Sequence, residues 1–463
     1  MDVDHLLQRP LTRGQFLHGA LRVGAALAVG PAVVGCARTP SKQRAEVRAI
    51  VIGAGIAGIA AADTLRRAGV DVVVLEARSR IGGRIWSAPM DGVHAELGAS
   101  WVHGLRDNPL VRELERFGVR RRAVEDEWPA LADAAGAIAT SEVERAGARV
   151  ERAMAKASAR AEALDADVPL ARVLDGHAAP DPVMRWIARS ELQNEYGADP
   201  DVLSAWWHDE SAGHGSAEEL VVGRYADVVD GLARGLRIER ERHVTSVEVT
   251  GSRVRVRAGE RELEAEHVVV AVPLAVLAAD AITFDPPLPD TVRAAASRIG
   301  TGSLEKVVLR FDDVAWLPDA PVLGATNTRD VERGIAEFHV IADHGRGATV
   351  LGLVGGAAAR ELVQRGPSAM RQAAIAGLSS IVGGAIPEPR AVRSSAWSRD
   401  PLARGSYSFL STGATPDDRA ALARPITPRL VLAGEATDSR SPSTVHGAMR
   451  SGRRAAAQLL EMG

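Results

Sequence analysis

A glycine-rich turn follows the first β-branched run of the sequence. Residues 48–52 lead directly into Gly53, Gly55 and Gly58, and apolar positions with helical spacing continue from there to Ala68. Gly53 permits a tight turn, Gly55 lets a pyrophosphate approach the helix N-terminus, and Gly58 lets the helix pack closely on the strand. The turn therefore predicts a site for the phosphates of a dinucleotide.

An acidic residue completes this unit. Gly69 is placed to end the helix, and a second apolar run over residues 70–75 leads to Glu76. A carboxylate at the tip of the second strand accepts hydrogen bonds from both ribose hydroxyls and repels a 2′-phosphate. Strand, turn, helix, strand and acid together predict a Rossmann-like dinucleotide-binding unit.

Lys306 is one of only three lysines, with Lys42 and Lys156, in a chain whose Lys and Arg total 56. It stands at the start of an apolar run, residues 306–311, that predicts a strand. A lysine is a compact, titratable donor that can hold one water, whereas a guanidinium is a permanently charged fork. Its use here suggests a need that arginine cannot meet, but scarcity alone does not predict a functional role, and a solvent-exposed lysine at the start of a strand is the alternative.

Beyond Glu76 the chain adds a second glycine turn within a cluster of arginines, with Arg78, Gly83 and Arg84. NAD-dependent dehydrogenases lack this extension. With it, the sequence resembles the flavin-containing amine oxidases, and within them the polyamine oxidase-like branch. The resemblance covers residues 47–463, and it implies FAD as the cofactor with Arg84 carried towards the flavin.

The resemblance also implies the fold class. It is α/β, with a Rossmann-like FAD/NAD(P)-binding domain and an α+β substrate-binding domain. The FAD-binding domain is expected to comprise residues 47–104, 221–295 and 396–463. The substrate-binding domain is expected to comprise residues 105–220 and 296–395.

The stretches between the motifs indicate which elements position them. Residues 131–188 are rich in Ala, Arg and Glu with helical spacing, which predicts helices that form part of a lid over the substrate domain. Residues 236–272 alternate and then become fully apolar, which predicts strands that complete the FAD-binding domain. Residues 430–434 predict a last strand, and residues 444–460 a closing helix.

The resemblance implies that residues far apart in the sequence contact the cofactor. Gly98, Ala99, Ser100 and Trp101 match a segment that runs under the flavin ring, and the position of Val244 lies beside the adenine in relatives. The remaining matches are Trp397, then Gly434 and Glu435 at the phosphates and ribityl chain, and Thr444, Val445 and Ala448 at a helix N-terminus facing the flavin. For a valine in a strand, packing in the core is the competing interpretation.

Four residues are implied for the chemistry. Lys306 would hold a water against flavin N5, His103 and Glu195 would lie near the amine, and Tyr407 would form one wall of an aromatic cage. The other wall, often a tyrosine, falls at Ser441, so that either the pocket is wider or another aromatic residue completes the cage. Without the resemblance, His103 could be structural or exposed, and Glu195 could be a helix-end carboxylate on the surface. No residues have metal-ligand spacing, so no metal is expected.

The implied reaction is oxidation of a small-molecule amine by hydride transfer to flavin N5. The imine would hydrolyse to an aldehyde, and O2 would reoxidise the flavin to give H2O2. Two alternatives keep the fold: an L-amino acid oxidase, which needs an arginine for the substrate carboxylate, and a hydrocarbon desaturase. A non-catalytic FAD-binding lipoprotein and an NAD-dependent dehydrogenase are alternatives from other classes. Histone-demethylating relatives carry a helical tower and a preceding module that do not fit 463 residues, so chromatin is not expected as a substrate.

The composition excludes several other classes. Lys plus Arg total 56 against 59 for Asp plus Glu, and this net charge of −3 predicts no nucleic-acid partner. Hydrophobic residues make up 46% of the chain, as in ordinary globular proteins. Cys36 is the only cysteine, so an intrachain disulfide is impossible. Because monoamine oxidases attach their flavin through a cysteine in the block that matches residues 405–409, the FAD is expected to be non-covalent here.

Residues 1–46 resemble an export signal followed by a linker. After Arg13, an uncharged apolar run at residues 23–35 is too short to span a bilayer and ends at Cys36. The pattern resembles a twin-arginine-type signal, with Gly14 in place of the second arginine, joined to a lipoprotein cleavage box. The expected location is the bacterial cell envelope, with membrane contact only through a lipidated Cys36. A cytoplasmic protein with an uncut N-terminal helix is the alternative, and the oligomeric state stays open.

Overall fold

The computed structural model describes residues 48–124, 128–174, 181–210, 217–327, 333–342 and 347–462. The predicted signal and linker at residues 1–46, including Cys36, lie outside these described residues. The strands are β1 Ala49–Ile52, β2 Val72–Leu75, β3 Ser87–Met90, β4 Val93–Glu96, β5 Trp101–His103, β6 Arg121–Ala123, β7 Ala130–Asp133, β8 Gly136–Ala137, β9 Glu218–Val221, β10 Arg237–Glu239, β11 Val244–Thr250, β12 Arg253–Ala258, β13 Arg261–Ala265, β14 His267–Val270, β15 Thr283–Asp285, β16 Ile299–Thr301, β17 Leu304–Phe311, β18 Val322–Ala325, β19 Glu337–Ala342, β20 Ala348–Gly355, β21 Ala391–Ser394, β22 Ser408–Leu410 and β23 Leu430–Leu432.

The helices are α1 Ile56–Arg67, α2 Pro109–Arg116, α3 Thr140–Glu162, α4 Pro182–Ala188, α5 Ala226–Leu232, α6 Leu274–Ala278, α7 Asp290–Arg298, α8 Gly356–Arg365, α9 Pro367–Val382, α10 Pro416–Ala423 and α11 Val445–Met462. Short 3₁₀ turns lie at Leu170–Arg172 and Glu435–Thr437, and a π-helical turn at Arg189–Asn194 follows α4. No helix among the described residues is both long and apolar enough to cross a membrane.

A parallel sheet with the strand order β10-β2-β1-β14-β23 carries the glycine turn. β1 and β2 are apolar throughout, and β14 is apolar after His267, as expected for strands covered on both faces. On one face, Val51 and Val74 pack in a core shared with α1, α2 and α11. On the other face, Ile50 and Val73 pack against the four-stranded sheet β13-β12-β11-β15. The predicted boundary at residue 105 assigns α2 to the substrate-binding domain, yet its Leu110 belongs to the core around α1.

A second large sheet carries the predicted lysine. Its order is β21-β17-β20-β19-β18-β7-β8, and β17 pairs antiparallel with both β20 and β21. Val307 and Leu309 pack on one face against α8 and α9. The alternation of a strand puts Lys306 and Val308 on the opposite face, where Val308 packs against the β3–β4 hairpin. Lys306 is therefore directed towards the segment that follows β4, as an inward-facing residue.

The expectation of helices throughout residues 131–188 is wrong at its start. Helices α3 and α4 lie within that stretch, but β7 and β8 form a hairpin that extends the second sheet. β7 pairs in parallel with β18, so it gains its partner from a segment almost 200 residues away. A short alanine-rich run has no periodicity that separates a strand from a helix, and tertiary pairing decides its structure here.

Candidate active site

One cavity of about 510 Å³ connects the glycine turn with the second sheet. Every predicted site residue lines it except Gly58. Gly58 acts behind the wall, because a Cβ there would lie 1.9 Å from the Gly53 carbonyl oxygen. Gly53 itself has a φ of 100°, as the tight turn requires. The glycine turn therefore has the predicted geometry, with Gly58 supporting it through helix packing.

The acid at the end of β2 organises the turn. Glu76 is buried, and its Oε2 accepts a hydrogen bond from the Ala54 amide at 2.7 Å. Its Oε1 accepts one from the Arg78 amide at 2.8 Å, and the Arg78 guanidinium pairs with Asp400 at 2.7 Å. Val244, at the start of β11, lines the cavity beside this region while remaining in the core. The core position agrees with the competing interpretation of Val244, and its contact with the adenine stays a prediction.

Two helices begin at the cavity wall. Gly55, Ile56 and Ala57 at the start of α1 line it, as do Val445 and Ala448 in the first turn of α11. Unpaired amides at a helix N-terminus attract phosphate and other electron-rich groups. No atom lies within 4 Å of a Cβ built on Gly55, so the backbone there is open to a ligand. The wall is therefore suited to a dinucleotide.

Arg84 and Glu435 join the two ends of the chain inside the wall. Arg84 donates to Glu435 Oε1 at 3.0 Å and to the Ser406 carbonyl at 2.7 Å. Glu435 Oε2 accepts from the Ser408 hydroxyl at 2.5 Å. Burial opposes the charge of Glu435, but Arg84, Arg419 and the Ser408 hydrogen bond outweigh it, and the pKa of this carboxyl is lowered. Glu435 is therefore an anion that fixes the direction of Arg84.

The segment after β4 forms a floor that the lysine supports. A Cβ on Gly98 would lie 1.8 Å from the Arg84 carbonyl oxygen, so this position needs glycine because the two backbone segments are in contact. Ala99 and Ser100 follow with small side chains on the cavity wall. Trp397 is buried beside them and donates its indole N–H to the Leu97 carbonyl at 2.8 Å. The floor is thus held by backbone contacts from both sides.

Lys306 reaches this floor from β17. It is 3% exposed, and its Nζ donates to the Gly98 carbonyl at 2.5 Å and to the Ser100 hydroxyl at 2.6 Å. Nζ also lies 5.0 Å from the centre of the Trp101 ring. Burial lowers the pKa of Lys306 to about 7, although the charge of Glu96 raises it. The alternative of a solvent-exposed lysine is excluded, and the side chain can lose or gain a proton near neutral pH.

His103 forms a pair with a carboxylate on the neighbouring strand. β5 and β9 pair antiparallel with His103 opposite Glu218, and His103 Nδ1 lies 2.6 Å from Glu218 Oε1. Burial lowers the pKa of His103, but the hydrogen bond and charge of Glu218 and the charge of Glu195 outweigh it, so the pKa is raised. His103 thus lines the cavity as a group that Glu218 keeps protonated to higher pH.

Glu195 ends the π-helical turn and also lines the cavity. Its carbonyl accepts a hydrogen bond from the Tyr407 hydroxyl at 2.7 Å, and the Asn194 carbonyl accepts from the same hydroxyl at 2.9 Å. Withdrawal from water raises the pKa of the Glu195 carboxyl, against the charge of His103. Tyr407 therefore fixes the turn that carries Glu195, as well as contributing its ring to the wall.

A third carboxylate at this end was not among the predicted residues. Glu337 Oε1 lies 2.9 Å from His339 Nε2, and its Oε2 accepts from Asn194 at 2.7 Å. Burial opposes its charge, but the hydrogen bond and charge of His339, with the Asn194 hydrogen bond, lower the pKa of Glu337. The His339 ring packs edge-on against Trp101, with centroids 5.1 Å apart. Glu337 and His339 are two residues apart on β19, a spacing that puts side chains on one face of a strand.

Ser441, the position that matches the second cage wall, does not line the cavity. Ser441 is buried, and its amide donates to Asp438 Oδ1 at 2.8 Å, which turns the loop away from the cavity at that residue. Pro442, Ser443 and Thr444 of the same loop line the cavity. This part of the loop carries no aromatic residue. Tyr196 and Phe409 line the cavity as well as Tyr407, so completion of the cage by another aromatic residue stays a prediction.

The chain was compared with known proteins. The family described as flavin containing amine oxidoreductase matches residues 56–460. Polyamine oxidase 2 of Arabidopsis thaliana is 31% identical, over 88% of this chain and 86% of the relative. Lysine-specific histone demethylase 1 homolog 2 of the same plant is 32% identical over 90% of this chain, and the chain spans 59% of that longer protein.

Solved structures show the same fold. A putrescine oxidase bound to putrescine aligns with 90% of this chain and 99% of its own, with a TM-score of 0.75 at 21% identity. The polyamine oxidase relatives support the polyamine oxidase-like branch that the sequence resemblance predicts. Since the family match extends over most of the chain, from residue 56 to residue 460, the protein belongs to the flavin-containing amine oxidoreductases.

Proposed function

We propose that the protein is an FAD-dependent oxidase of polyamines or related primary and secondary amines. The observation that carries this proposal is one cavity whose lining includes a dinucleotide-type glycine turn, a buried lysine and a group of carboxylates. The family supports amine oxidation by a flavin. The acidic end of the cavity supports the choice of a cationic substrate.

FAD fits the dinucleotide end. Glu76 would bind the ribose, the N-termini of α1 and α11 would face the phosphates and the flavin, and the Gly98 floor with Lys306 would lie at the ring; the support is that all of them line one cavity. Bound FAD would supply the hydride acceptor for the carbon next to the amine nitrogen and would pass the two electrons to O2, giving H2O2, while water would hydrolyse the imine to an aldehyde and a released amine. The only cysteine is Cys36, far in sequence from these residues, which supports non-covalent binding.

The chain's own residues bind and orient the amine. Glu195, Glu218 and Glu337 bring three carboxylates to one end of the cavity, with two histidines among them. Carboxylates attract an ammonium group and hold it by charge-assisted hydrogen bonds. Several carboxylates favour a substrate with more than one nitrogen, because one can bind a distal ammonium group while the reacting nitrogen is neutral.

The cavity lining speaks against an L-amino acid oxidase. Within the described part of the chain, the arginines that line the cavity are Arg78, Arg84 and Arg242, all at the dinucleotide end. Arg78 pairs with Asp400, and Arg84 pairs with Glu435. A substrate carboxylate would meet carboxylates at the other end, and like charges repel. The non-catalytic lipoprotein and the desaturase remain for the experiment to decide.

The test is anaerobic stopped-flow absorbance of the purified protein against polyamines, monoamines and L-amino acids, followed by admission of air. We expect diamines and polyamines to bleach the flavin fastest, and air to restore the colour with formation of one H2O2 per cycle. Absence of bleaching by any amine would contradict the proposal. Bleaching without recovery in air would replace the oxidase by a dehydrogenase with another acceptor.

We also propose that the protein is exported and held at the cell envelope through a lipid on Cys36. The support is the sequence pattern of residues 1–46. Mass spectrometry of the mature protein should find the chain starting at a lipidated Cys36, and Cys36→Ser should move the protein from the membrane fraction. An unmodified N-terminus in the cytoplasmic fraction would contradict this proposal.

A further inference from the structure

Glu96 is a buried acid that does not line the cavity. It ends β4, is 9% exposed, and its Oε1 accepts a hydrogen bond from the Tyr225 amide at 3.2 Å. Burying an ionisable carboxyl costs free energy unless nearby groups stabilise its charge. An ionised acid at this position therefore needs a nearby positive charge, and Lys306 provides one.

The segment that follows Glu96 carries both acceptors of Lys306. Gly98 and Ser100 accept from Nζ, and Gly98 is only two residues beyond Glu96. An extended chain advances about 3.5 Å per residue, so the Glu96 backbone lies about 7 Å from the residue that Nζ contacts. Tyr225 fixes the segment at both ends, because its amide donates to Glu96 and its hydroxyl donates to the Trp101 carbonyl at 3.3 Å.

The other groups around the two residues leave this pair of charges as the dominant one. Glu305, beside Lys306 on β17, is turned to the opposite face, where it accepts from the Ser395 hydroxyl at 2.6 Å and the Trp397 amide at 3.0 Å. Other neighbours of the pair include Leu353 opposite Lys306 on β20, the Trp101 ring, the Ser395 hydroxyl, and Ser87, Tyr225 and the charge of Arg224 on the Glu96 side. Of these, Arg224 alone carries a charge, and it acts on Glu96.

We propose that Glu96 is a positioning residue that controls the charge of Lys306, so that the two buried side chains share one proton across the floor of the cavity. An ionised Glu96 keeps the proton on Lys306, and a neutral Lys306 leaves the proton on Glu96. Glu96 acts through Lys306 and not on the substrate. Its importance for catalysis rests on the proposed function, in which Lys306 lies beside the flavin.

The electrostatics of the pair agree with this assignment. Burial lowers the pKa of Lys306 to about 7, and Glu96 is the charged group that raises it. Burial raises the pKa of Glu96 to about 7, against hydrogen bonds from Ser87 and Tyr225 and the charge of Lys306. Two coupled groups that titrate in the same range share their protons and titrate as a pair.

The scarcity of lysine makes a direct test possible. With lysine labelled by ¹³C at Cε, the holoprotein has only three side-chain signals, and Lys306→Met identifies the one from Lys306. We expect this signal to titrate near pH 7 in the native protein. In Glu96→Gln the midpoint should fall by about one pH unit or more, because the charge that favours the protonated amine is gone. Glu96→Asp, which keeps the charge, should restore most of the shift.

Glu113→Gln is the matched control, since Glu113 is a buried acid on α2 that pairs with Arg453 at 2.9 Å. It should leave the Lys306 midpoint unchanged. An unchanged midpoint in Glu96→Gln would overturn the proposal. If that variant does not fold, the native titration decides: a two-step curve supports the pair, and a single step at about pH 10.4 overturns it.

A second measurement separates this inference from the proposed function. The pH dependence of flavin reoxidation by O2 should move in the same direction as the Lys306 midpoint in Glu96→Gln. The NMR titration requires no turnover. A protein that oxidises no amine would therefore contradict the proposed function and leave the shared proton standing, whereas an unmoved Lys306 midpoint would do the opposite.

Discussion

At the scale of single residues, the candidate site depends on charges kept away from water. Lys306 has a carbonyl and a hydroxyl as acceptors, and among the described residues no carboxylate forms a hydrogen bond or ion pair with its Nζ. Such an amine is easily deprotonated, because burial disfavours the charged form. An arginine could not serve in its place, since a guanidinium stays protonated under all ordinary conditions.

Lys306→Met should slow reoxidation of the reduced flavin by O2 by about 100-fold, because a positioned proton-transfer group contributes at least this much. Reduction by the amine should change far less. Both rates can be followed by flavin absorbance after rapid mixing. Lys156→Met is the control, since Lys156 is exposed on α3. Equal reoxidation rates in the native protein and Lys306→Met would remove Lys306 from the chemistry.

Glu218→Gln should raise the KM for putrescine about tenfold with little change in kcat, because it removes a charge that binds the substrate and the transition state alike. It should also lower the pKa of His103, since the hydrogen bond and charge of Glu218 raise that pKa. Steady-state H2O2 production measures the first effect. Glu219→Gln should leave KM unchanged, because Glu219 instead pairs with Arg121 at 2.9 Å. Equal effects of the two substitutions would contradict the assignment.

Residues differ in how far the sequence reveals them. Lys306 stands out because its residue type is rare in this chain. Glu218 offers no such signal, since strand pairing alone brings it to His103 across 115 residues. Glu337 and His339 have strand spacing, but a chain with 59 acidic residues contains many pairs of this kind. Only the fold shows which carboxylates meet.

At the scale of elements, α1 packs so closely on the glycine turn that one added methyl group prevents the contact. Gly58→Ala should destabilise the protein by about 1–3 kcal/mol and weaken retention of the cofactor, because the added Cβ meets the Gly53 carbonyl oxygen at 1.9 Å. Urea unfolding and flavin release on dilution measure the two effects. Gly384→Ala is the control, since no atom lies within 4 Å of a Cβ there. Retention of the flavin by Gly58→Ala would show that the helix can shift.

A buried ion pair connects α10 with the chain before residue 211. Arg419 is 0% exposed and donates to both carboxylate oxygens of Glu210, at 2.6 and 2.5 Å. Arg419→Met should cost about 3–5 kcal/mol, because it leaves the Glu210 carboxylate buried without its partner. Arg424→Met, at an exposed position after α10, is the control for urea unfolding. A loss below about 1 kcal/mol would show that Glu210 finds water or another donor.

The elements also show where the sequence pattern is sufficient to predict secondary structure. β1, α1 and β2 follow the prediction closely, and Gly69 lies just past the helix with a φ of 83°. Their periodicity is strong and their contacts are local. The sequence pattern predicted a helix where the β7–β8 hairpin lies. The prediction failed because the strand that pairs with β7, β18, is remote in the sequence. Long-range pairing leaves no trace in a window of a few residues.

At the scale of the whole molecule, a net charge of −3 hides a strong local asymmetry. The arginines that line the cavity within the described residues all lie at its dinucleotide end, beside Glu76 and Glu435, whereas Glu195, Glu218 and Glu337 line the other end without an arginine. The end with the arginines suits an anionic cofactor, and the end with the carboxylates suits the cationic substrate that we propose. Composition alone does not reveal this asymmetry, because the charges cancel in the total.

This asymmetry predicts a salt effect. Raising the ionic strength from about 0.1 M to about 1 M shortens the screening length from about 10 Å to about 3 Å, so the KM for a diamine should rise more steeply than the KM for a monoamine. H2O2 production at several salt concentrations measures both. Glu218→Gln should reduce the slope for the diamine. Identical slopes for the two amines would contradict a role for more than one carboxylate.

The parallel sheet described above joins strands from opposite ends of the chain. β1 pairs with β14, β14 with β23, and the first turn of α11 lines the same cavity as the glycine turn about 390 residues earlier. During synthesis, the glycine turn leaves the ribosome long before Ala448 does. The cofactor pocket therefore cannot be completed before β23 and the first turn of α11 have emerged, and until then the nascent sheet has an unfinished edge.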